Sequence, residues 1–487
     1  MEKEEKKFKE YSIQELAKLL NDGVYTSEEL VKIYLDRIYR YEHLHAIGEI
    51  NRNAIIEAKI LDQERKEKGP RSILHGIPIV VKDNINVTGN MHTSAGSKAL
   101  EDMYAPYDAT LIKKLKDAGM IILGKANLSE FAYFMSTAMP CGFSSRFGQC
   151  ISPYDPAIDP LGSSTGSAVA VAANLIPVSI GTETNGSLMA PAHMNSIVSI
   201  KPTLGMISRY GILPISASQD TAGPMARSVE DCAILMDYLQ GKDEHDPDTQ
   251  LIPETYHFAQ AIHSNIKGKR IGVVHIKDVS YSEEEEACLQ KAKEVYQKIE
   301  VECIDVQFKY ADIENVECLL HEFKRDLNTY LDSMHYSVHT LKDIIEINKT
   351  NEQVYMPYNQ ELLELAEQRS GHLTEKVYYE AKINQEAQAN ELNEILDKYH
   401  LDALLLIQRI PHGAILGNPT ITVPAKALVD TTPISIVLTS YKWQDELLFS
   451  LAYQYEKATH YRVSPDLDHP KELIEHESKF WDVSERR

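Results

Sequence analysis

The chain contains 487 residues, of which 43% are hydrophobic and 25% are charged, so it can bury a large core. This composition excludes a disordered tail, a collagen-like repeat and a low-complexity protein. The 72 acidic residues outnumber the 50 Lys and Arg residues and give a net charge of −22, which repels a phosphate backbone and predicts no nucleic-acid partner.

The sequence predicts no membrane segment. No stretch approaches about 18 uninterrupted apolar residues, the length that a membrane-spanning helix needs. Residues 1–10 lack the apolar core of a signal peptide, so we expect a soluble, cytoplasmic protein with no membrane partner. The six cysteines include no C-x-x-C pair, which indicates reduced thiols rather than a disulfide framework or a zinc site.

Two capping boxes predict a helical N-terminal segment over residues 1–69. Ser12 and Thr26 each stand three positions before a glutamate, Glu15 and Glu29. Such a pair satisfies two backbone N–H groups at the start of a helix. Apolar residues at helical spacing follow both boxes, as expected for helices that bury one face.

Residues 70–235 have the alternation of strands and helices that is typical of an α/β sheet. The apolar run 73–81 predicts a buried strand, 108–119 predicts a helix, and 120–123 predicts a second strand that ends at Gly124. We interpret this segment as the catalytic core.

The next stretch, 135–167, is crowded with Ser, Gly and Pro and predicts an irregular loop. Loops of this length in a compact domain are usually functional. The pattern then predicts, in order, a small-residue helix over 167–173, a short strand over 178–180, a helix capped by Ser228 and a buried strand over 269–275.

Residues 283–400 are mostly polar, acidic and helical in pattern, which favours a solvated outer layer of helices over a ligand-binding tract. Apolar runs return in 401–487 and predict strands at 402–407, 421–423 and 434–438 that close the sheet. Core-type strands at both ends of the chain predict a single domain over 1–487.

The sequence offers three candidate reactive places. Lys82 follows a buried strand, where loss of water would favour the neutral amine and a role as a base, although such a lysine commonly extends to solvent instead. The loop 162–167 feeds a helix and presents backbone N–H groups, but it also suits a flexible, serine-capped turn. In 181–187 a strand gives way to an Asn-Gly turn just before Ser187, which is suited to an oxyanion pocket and is also a common turn.

Together these places resemble the amidase signature family. The resemblance is carried by Val81–Asn84, Ala105–Thr110, Gly124–Asn127, Gly162–Ser167, Gly181–Ser187, Lys201–Thr203 and Asp220–Pro224, and more weakly by Gly417–Pro424. It implies an α/β/α sandwich with a central mixed, twisted sheet covered by helices. It also implies that the unmatched region 240–400 shapes the substrate pocket.

The resemblance implies a Ser–cis-Ser–Lys triad that hydrolyses carboxylic amides to carboxylate plus ammonia or amine through an acyl-enzyme. By motif position the nucleophile is Ser187, the cis-serine is Ser163 and the general base is Lys82. The backbone N–H groups of the turn Thr184, Asn185 and Gly186, with that of Ser187, would form the oxyanion hole.

Three positions depart from the commonest family pattern: Glu183 replaces Asp, Asn185 replaces Gly and Met189 replaces Arg. The Glu-Thr-Asn-Gly-Ser form is similar to the branch of bacterial peptide amidases. Loss of the arginine and the acidic charge balance argue against the alternative, a glutaminase subunit of the tRNA-dependent amidotransferases.

Two further alternatives remain open from the sequence. Gly162–Gly166 also fits G-x-S-x-G, which would make Ser164 the nucleophile of an α/β-hydrolase with His412 as its histidine, although three prolines in 152–160 argue against the strand that this motif requires. A non-catalytic subunit would keep the fold without the chemistry. The presence of all three reactive side chains argues against that reading.

We expect no metal, because no His, Cys and Asp cluster has ligand spacing, and we expect no cofactor. The expected partner is a small-molecule or peptide amide substrate. Tyr330, Tyr355 and Tyr358 are candidates for lining an acyl pocket, although tyrosine on a helix face is commonly a packing residue. The sequence leaves the physiological amide, cleavage of esters and the oligomeric state open.

Overall fold

The computed structural model describes residues 8–309, 313, 315–407, 409–426 and 433–469. Within them, thirteen strands form one eleven-stranded mixed sheet and one small hairpin. The strands are β1 (Ile47–Ile50), β2 (Pro78–Lys82), β3 (Ile121–Ala126), β4 (Phe143–Ser144), β5 (Gly148–Gln149), β6 (Val178–Glu183), β7 (Val198–Lys201), β8 (Thr221–Ala226), β9 (Arg270–Ile276), β10 (Glu302–Phe308), β11 (Ala403–Leu406), β12 (Thr420–Pro424) and β13 (Ser435–Thr439).

Helices cover the sheet and form a layer beyond it. The α-helices are α1 (Ile13–Asn21), α2 (Ser27–Arg40), α3 (Ala54–Lys68), α4 (Thr110–Asp117), α5 (Thr165–Ala172), α6 (Met189–Met194), α7 (Val229–Leu239), α8 (Phe258–Ala261), α9 (Glu283–Lys298), α10 (Val316–Ser333), α11 (Leu341–Lys349), α12 (Glu352–Tyr355), α13 (Glu361–Glu367), α14 (Lys376–Ala389), α15 (Glu391–Tyr399), α16 (His412–Leu416) and α17 (Asp445–Thr459). Short 3-10 helices occupy Glu42–Leu44, Lys98–Leu100, Glu130–Tyr133 and Pro247–Leu251. Among the described residues, none of these helices is both long and apolar enough to cross a membrane.

The predicted helical N-terminal region is confirmed for α1 and α2. Ser12 and Thr26 both form complete capping boxes with Glu15 and Glu29. Each helix buries one apolar face, as the spacing of its leucines and isoleucines predicted.

The central sheet has the strand order β1-β3-β2-β6-β8-β7-β12-β13-β11-β9-β10. β2 runs parallel to β3 and β6, whereas β6 and β8 are antiparallel. Ile79 and Val81 pack in the core on one face of the sheet and Val80 packs in the core on the other. β2 is therefore buried on both faces, and it ends at Lys82 in the interior. The mixed sheet between helices confirms the predicted fold class.

Three predicted strand boundaries were wrong. The first strand begins at Pro78 rather than at residue 73, because Gly76 adopts a positive φ of 81° and turns the chain before it. β3 continues past Gly124 to Ala126, since this glycine accommodates the close backbone approach of Glu49 in β1 rather than ending the strand.

β6 also runs further than the predicted 178–180 and ends at Glu183. It pairs with β8 over its whole length, so the backbone ladder holds 181–183 in extended form although the sequence there is polar. The outer region 283–400 is mostly helical, as predicted, but it contributes β10 to the edge of the sheet beside β9. This edge strand carries solvent-facing acidic residues, so its sequence lacks the apolar pattern that would have predicted a strand.

Candidate active site

Lys82 ends β2 with its side chain fully buried. Its Nζ lies 2.8 Å from Ser163 Oγ and 3.0 Å from Ser164 Oγ. Thr182 of β6 supplies two more oxygens, its hydroxyl at 2.9 Å and its carbonyl at 3.2 Å. Four oxygens therefore surround a nitrogen from which water is excluded.

Burial lowers the pKa of the Lys82 amine to about 7. The negative charges of Asp220 and Glu183 oppose this effect and raise the pKa, but the loss of hydration dominates. Near neutral pH a large fraction of the amine is uncharged, which is the state that accepts a proton.

The loop before α5 brings two serines to this amine. The peptide bond between Gly162 and Ser163 is cis. The Ser163 carbonyl accepts a hydrogen bond from the Ser129 N–H at 3.1 Å, which ties the loop to the segment after β3. Ser163 and Ser164 are both fully buried.

Ser187 lies in the turn between β6 and α6. The Glu183 carboxylate closes this turn by accepting the N–H groups of Leu188 at 2.8 Å and Met189 at 3.1 Å. Gly186 has a φ of 91°, a backbone conformation that side chains with a Cβ rarely adopt. The turn places Ser187 at the boundary of the interior, with 9% of its surface exposed.

The loop of Ser163 and the turn of Ser187 are joined by their backbones. The Ser164 N–H donates to the Ser187 carbonyl at 3.2 Å. Of the three proposed catalytic side chains, the structure therefore joins Lys82 and Ser163 by a hydrogen bond, whereas in the described part of the chain no side-chain hydrogen bond joins Ser187 to either of them.

The three residues predicted for the oxyanion hole line this same turn. The Thr184 hydroxyl donates to the Asp220 carboxylate at 2.5 Å. The Asn185 side-chain oxygen accepts a hydrogen bond from Arg409 at 3.2 Å. Both side chains are thus held by neighbours outside the turn, and Gly186 connects them to Ser187.

A cavity of about 550 Å³ borders the turn. Its lining includes Thr182, Thr184, Leu213, Asp220 and Tyr330. Of the three tyrosines that were candidates for a pocket, Tyr330 alone lines this cavity, whereas Tyr358 packs against Phe143. Tyr355 lies on α12 and is not part of the cavity lining.

Sequence reasoning did not assign a role to Thr182, Asn84 or Asp220. Thr182 contacts Lys82 directly, and the Asn84 amide donates to the Thr182 hydroxyl at 3.1 Å. Asp220 opens the motif Asp220–Pro224, which carried part of the family resemblance, so a signal for it was present. For Thr182, nothing in the sequence indicated a role other than its position in the segment 181–187.

The geometry disfavours Ser164 as a nucleophile. Its hydroxyl donates to the Thr182 carbonyl at 2.9 Å and accepts from the Thr182 N–H at 3.1 Å, which fixes it against β6. Residues 151–164 contain no strand, as the prolines predicted. His412, the histidine of that alternative, is buried against Phe308, and burial lowers its pKa to about 4.

In the part of the chain that the structure describes, His, Cys, Asp and Glu side chains form no group of three or more that suits a metal ion.

Comparisons with known proteins show the family of the chain. The family model described as Amidase matches residues 29–408. The chain is 36% identical over 433 residues to a probable amidase of Arabidopsis thaliana, an alignment that covers 87% of this chain and 84% of that protein.

A solved structure extends the likeness to the whole fold. The peptide amidase of Stenotrophomonas maltophilia superposes with a TM-score of 0.89 and 35% sequence identity, covering 94% of this chain and 99% of that one. A glutamyl-tRNA(Gln) amidotransferase component of Deinococcus radiodurans is 41% identical, but over 260 residues that cover only 53% of this chain and 52% of that protein.

Proposed function

Because the chain belongs to the amidase signature family and hydrolyses amide C–N bonds, we propose that Ser187, Ser163 and Lys82 carry out this reaction. Ser187 is the nucleophile, Ser163 relays protons and Lys82 is the general base. The observation that supports these roles most is the 2.8 Å contact between the buried Lys82 Nζ and Ser163 Oγ.

The first half of the reaction forms an acyl-enzyme. Neutral Lys82 takes the hydroxyl proton of Ser163, which in turn takes the proton of Ser187 as the Ser187 oxygen attacks the amide carbon. The Lys82 ammonium is stabilised by the hydroxyl and carbonyl oxygens of Thr182. When the tetrahedral intermediate collapses, the C–N bond breaks and the leaving nitrogen receives a proton back through Ser163.

The second half repeats the relay with water. A water molecule gives one proton to the relay and attacks the ester carbon of the acyl-enzyme. Collapse breaks the bond to Ser187, returns its proton and releases the carboxylic acid, which ionises. The net reaction consumes one water and yields a carboxylate plus ammonia or an amine.

The turn before Ser187 supplies the groups that stabilise the developing negative charge. We assign this role to the backbone N–H groups of Thr184, Asn185 and Gly186. Donors held in place before the reaction stabilise an oxyanion without reorganising, and loss of one typically costs about 3 kcal/mol of transition-state stabilisation. The hydrogen bonds that Glu183 and Asp220 accept from Leu188 and Thr184 support this assignment, because they restrict the conformation of the turn.

We further propose that the substrate is a peptide amide bound in the cavity beside Thr184. The similarity to a peptide amidase over nearly the whole chain supports this class. A cavity of about 550 Å³ with tyrosine and aliphatic walls suits a side chain or a short peptide better than a two-carbon amide.

A panel of substrates tests this proposal. Purified protein would be assayed by ammonia release with C-terminal peptide amides, short aliphatic amides, aromatic amides and free glutamine at equal concentration. We expect peptide amides to give the highest kcat/KM. Preference for glutamine would favour the amidotransferase-type reaction, and preference for short aliphatic amides would contradict the assignment of the cavity.

A further inference from the structure

The strand register places Asp220 directly beside the catalytic turn. β6 and β8 are antiparallel, and their last paired residues are Glu183 and Thr221. One step beyond this pair, the antiparallel register brings Thr184, which follows β6, opposite Asp220, which precedes β8. The Thr184 hydroxyl donates to Asp220 Oδ1 at 2.5 Å, so a side-chain contact extends the ladder past its end.

The second oxygen of Asp220 holds a different segment. Oδ2 accepts the backbone N–H groups of Ile215 at 2.7 Å and Ser216 at 2.9 Å. A carboxylate satisfies donors on both oxygens, whereas an amide offers only one accepting oxygen. Asp220 thus joins the loop 215–219 to the turn that begins at Thr184.

Helix α10 fixes that loop from the other side. The buried Glu322 carboxylate accepts the Ser218 N–H at 3.1 Å and the Ser216 hydroxyl at 2.5 Å. Asp326, one turn further, accepts the Ala217 N–H at 2.9 Å. The loop is therefore held by α10 at three consecutive residues.

The start of α10 and helix α14 complete this connection. Gln219 and Asn315 exchange two side-chain hydrogen bonds at 3.0 and 3.1 Å, and Asn315 immediately precedes α10. Tyr378 of α14 donates to Glu322 at 2.8 Å. Contacts thus run without interruption from the outer helices, through the loop and Asp220, to Thr184.

We propose that Asp220 is a positioning residue for amide hydrolysis: it fixes the turn of Thr184 against a loop that the outer helices hold in place. This inference rests on the proposed function, because it concerns the donors assigned to the oxyanion hole. Without the carboxylate, the Thr184 hydroxyl loses its acceptor and the turn is free to shift relative to Ser187. The outer layer then contributes to catalysis as well as to the shape of the pocket.

The charge of Asp220 allows a second, independent test of the proposal. Among the described residues, Asp220 and Glu183 carry the charges that act on Lys82, and the side chains that bond to Lys82 are the neutral ones of Ser163, Ser164 and Thr182. Burial raises the pKa of Asp220 to about 6, so it is mostly an anion above that pH. Removing this anion lowers the pKa of Lys82.

Two variants separate these effects. Asp220→Asn removes the charge and leaves one of the two sets of donors without an acceptor. Thr184→Val removes the hydroxyl and keeps the charge. We expect each to lower kcat with a peptide amide by about 10- to 100-fold, the scale of one lost hydrogen bond to a charged group, with little change in KM.

The double variant and the pH profile complete the test. Since both substitutions break the connection that runs from Thr184 through residue 220 to the loop 215–219, the double variant should lose little more activity than either single one. Asp220→Asn should move the rising limb of the pH–rate profile to lower pH, and Thr184→Val should leave it in place. Additive losses, or an unmoved limb in Asp220→Asn, would overturn the proposal.

Asp231→Asn is the matched control for simple destabilisation. Asp231 is also buried, its pKa is also raised to about 6 by burial, and it also accepts a backbone N–H, that of Ile13 at 2.9 Å. We expect this variant to lose thermal stability without the loss of kcat. Equal losses of kcat in Asp231→Asn and Asp220→Asn would assign Asp220 a purely structural role.

Labelling by a fluorophosphonate distinguishes failure of this inference from failure of the catalytic assignment. Wild-type protein should be labelled at Ser187, and Asp220→Asn should be labelled more slowly. If Ser187→Ala retained activity and were labelled at another serine, the assignment of Ser187 as nucleophile would be wrong. The role of Asp220 would then still be tested by the Asp220 and Thr184 variants. Equal labelling rates in wild type and Asp220→Asn would overturn the positioning role alone.

Discussion

Lys82 Nζ lies 2.8 Å from Ser163 Oγ, although the two residues are 81 positions apart in the chain. β2 delivers the amine at its buried end, and the cis peptide bond at Gly162–Ser163 lies in the loop that delivers the hydroxyl. Neither residue has a carboxylate within hydrogen-bonding distance in the described part of the chain. The pair is therefore suited to carrying a proton between neutral groups.

Removal of any member of the proposed triad should abolish amide hydrolysis while the fold persists. We expect Ser187→Ala and Lys82→Ala to lower kcat by about 10⁴-fold or more, because nucleophile and base act as a unit. Ser163→Ala should cost nearly as much, since it interrupts the relay between them. Ammonia release measures the activity, and circular dichroism checks folding.

His412→Gln is the control for these variants. His412 is buried against Phe308, and the proposed mechanism does not use it. We expect it to retain activity within about threefold, as substitutions away from a reaction centre commonly do. An inactive His412→Gln together with an active Ser187→Ala would instead support a hydrolase that uses Ser164.

Activity should rise with pH through about 7. Burial lowers the pKa of Lys82 to about 7, and the amine accepts a proton only after it has lost its own. Below that pH the fraction of neutral amine, and with it kcat/KM, falls about tenfold per pH unit. Above it the profile should level off.

Initial rates between pH 5.5 and 9.5 at constant ionic strength would check this profile, with thermal melts at each pH to exclude unfolding. The rate of serine labelling should follow the same curve, because it depends on the same base. A rate that peaks in acid would show that Lys82 does not act as a neutral base.

Local sequence patterns predicted the elements whose stabilisation is local. Ser12 and Thr26 identified two helix starts because a capping box is complete within four residues. β8 was not predicted, since Gly223 and Pro224 look like a turn. Gly223 is required there because the Ile200 carbonyl of β7 lies close to where a Cβ would be. This requirement arises from the neighbouring strand, so the local sequence does not reveal it.

The site was predicted from motif resemblance and only partly from physics. A lysine after an apolar strand indicated a buried amine, and the structure places Lys82 in the interior. The contact between Lys82 and Thr182 joins residues 100 positions apart, so no local pattern contains it. The contact of Asp220 with Thr184 likewise depends on the register of β6 against β8.

Gly186→Ala should inactivate the protein without unfolding it. Gly186 has a φ of 91°, and a Cβ there would also lie 2.6 Å from Arg409 Nη1. Either effect would move the N–H groups that we propose for the oxyanion hole. We expect kcat to fall about 100-fold, the scale of one lost oxyanion donor, in an assay of ammonia release.

Gly268→Ala provides the control, because Gly268 has a φ of 79° but open space around it and lies outside the site. It should lose stability from the backbone conformation and keep its kcat. Combining Gly186→Ala with Arg409→Ala separates the two causes: partial recovery would indicate the steric contact, and none would indicate the backbone conformation. Full activity in Gly186→Ala alone would contradict the assigned turn.

A large side chain at Thr329 should select against long substrates. Thr329 lies on α10, lines the cavity and is exposed, with its hydroxyl bonded to the Arg325 carbonyl of its own helix. We expect Thr329→Trp to raise KM for a peptide amide about tenfold or more, while a short aliphatic amide is little affected, because the added ring occupies space that only the larger substrate needs. Thr350→Trp is the matched control: Thr350 is also exposed and bonded to a helix carbonyl, that of Ile347, but lies outside the cavity. Equal effects on both substrates, or on both variants, would place the peptide elsewhere.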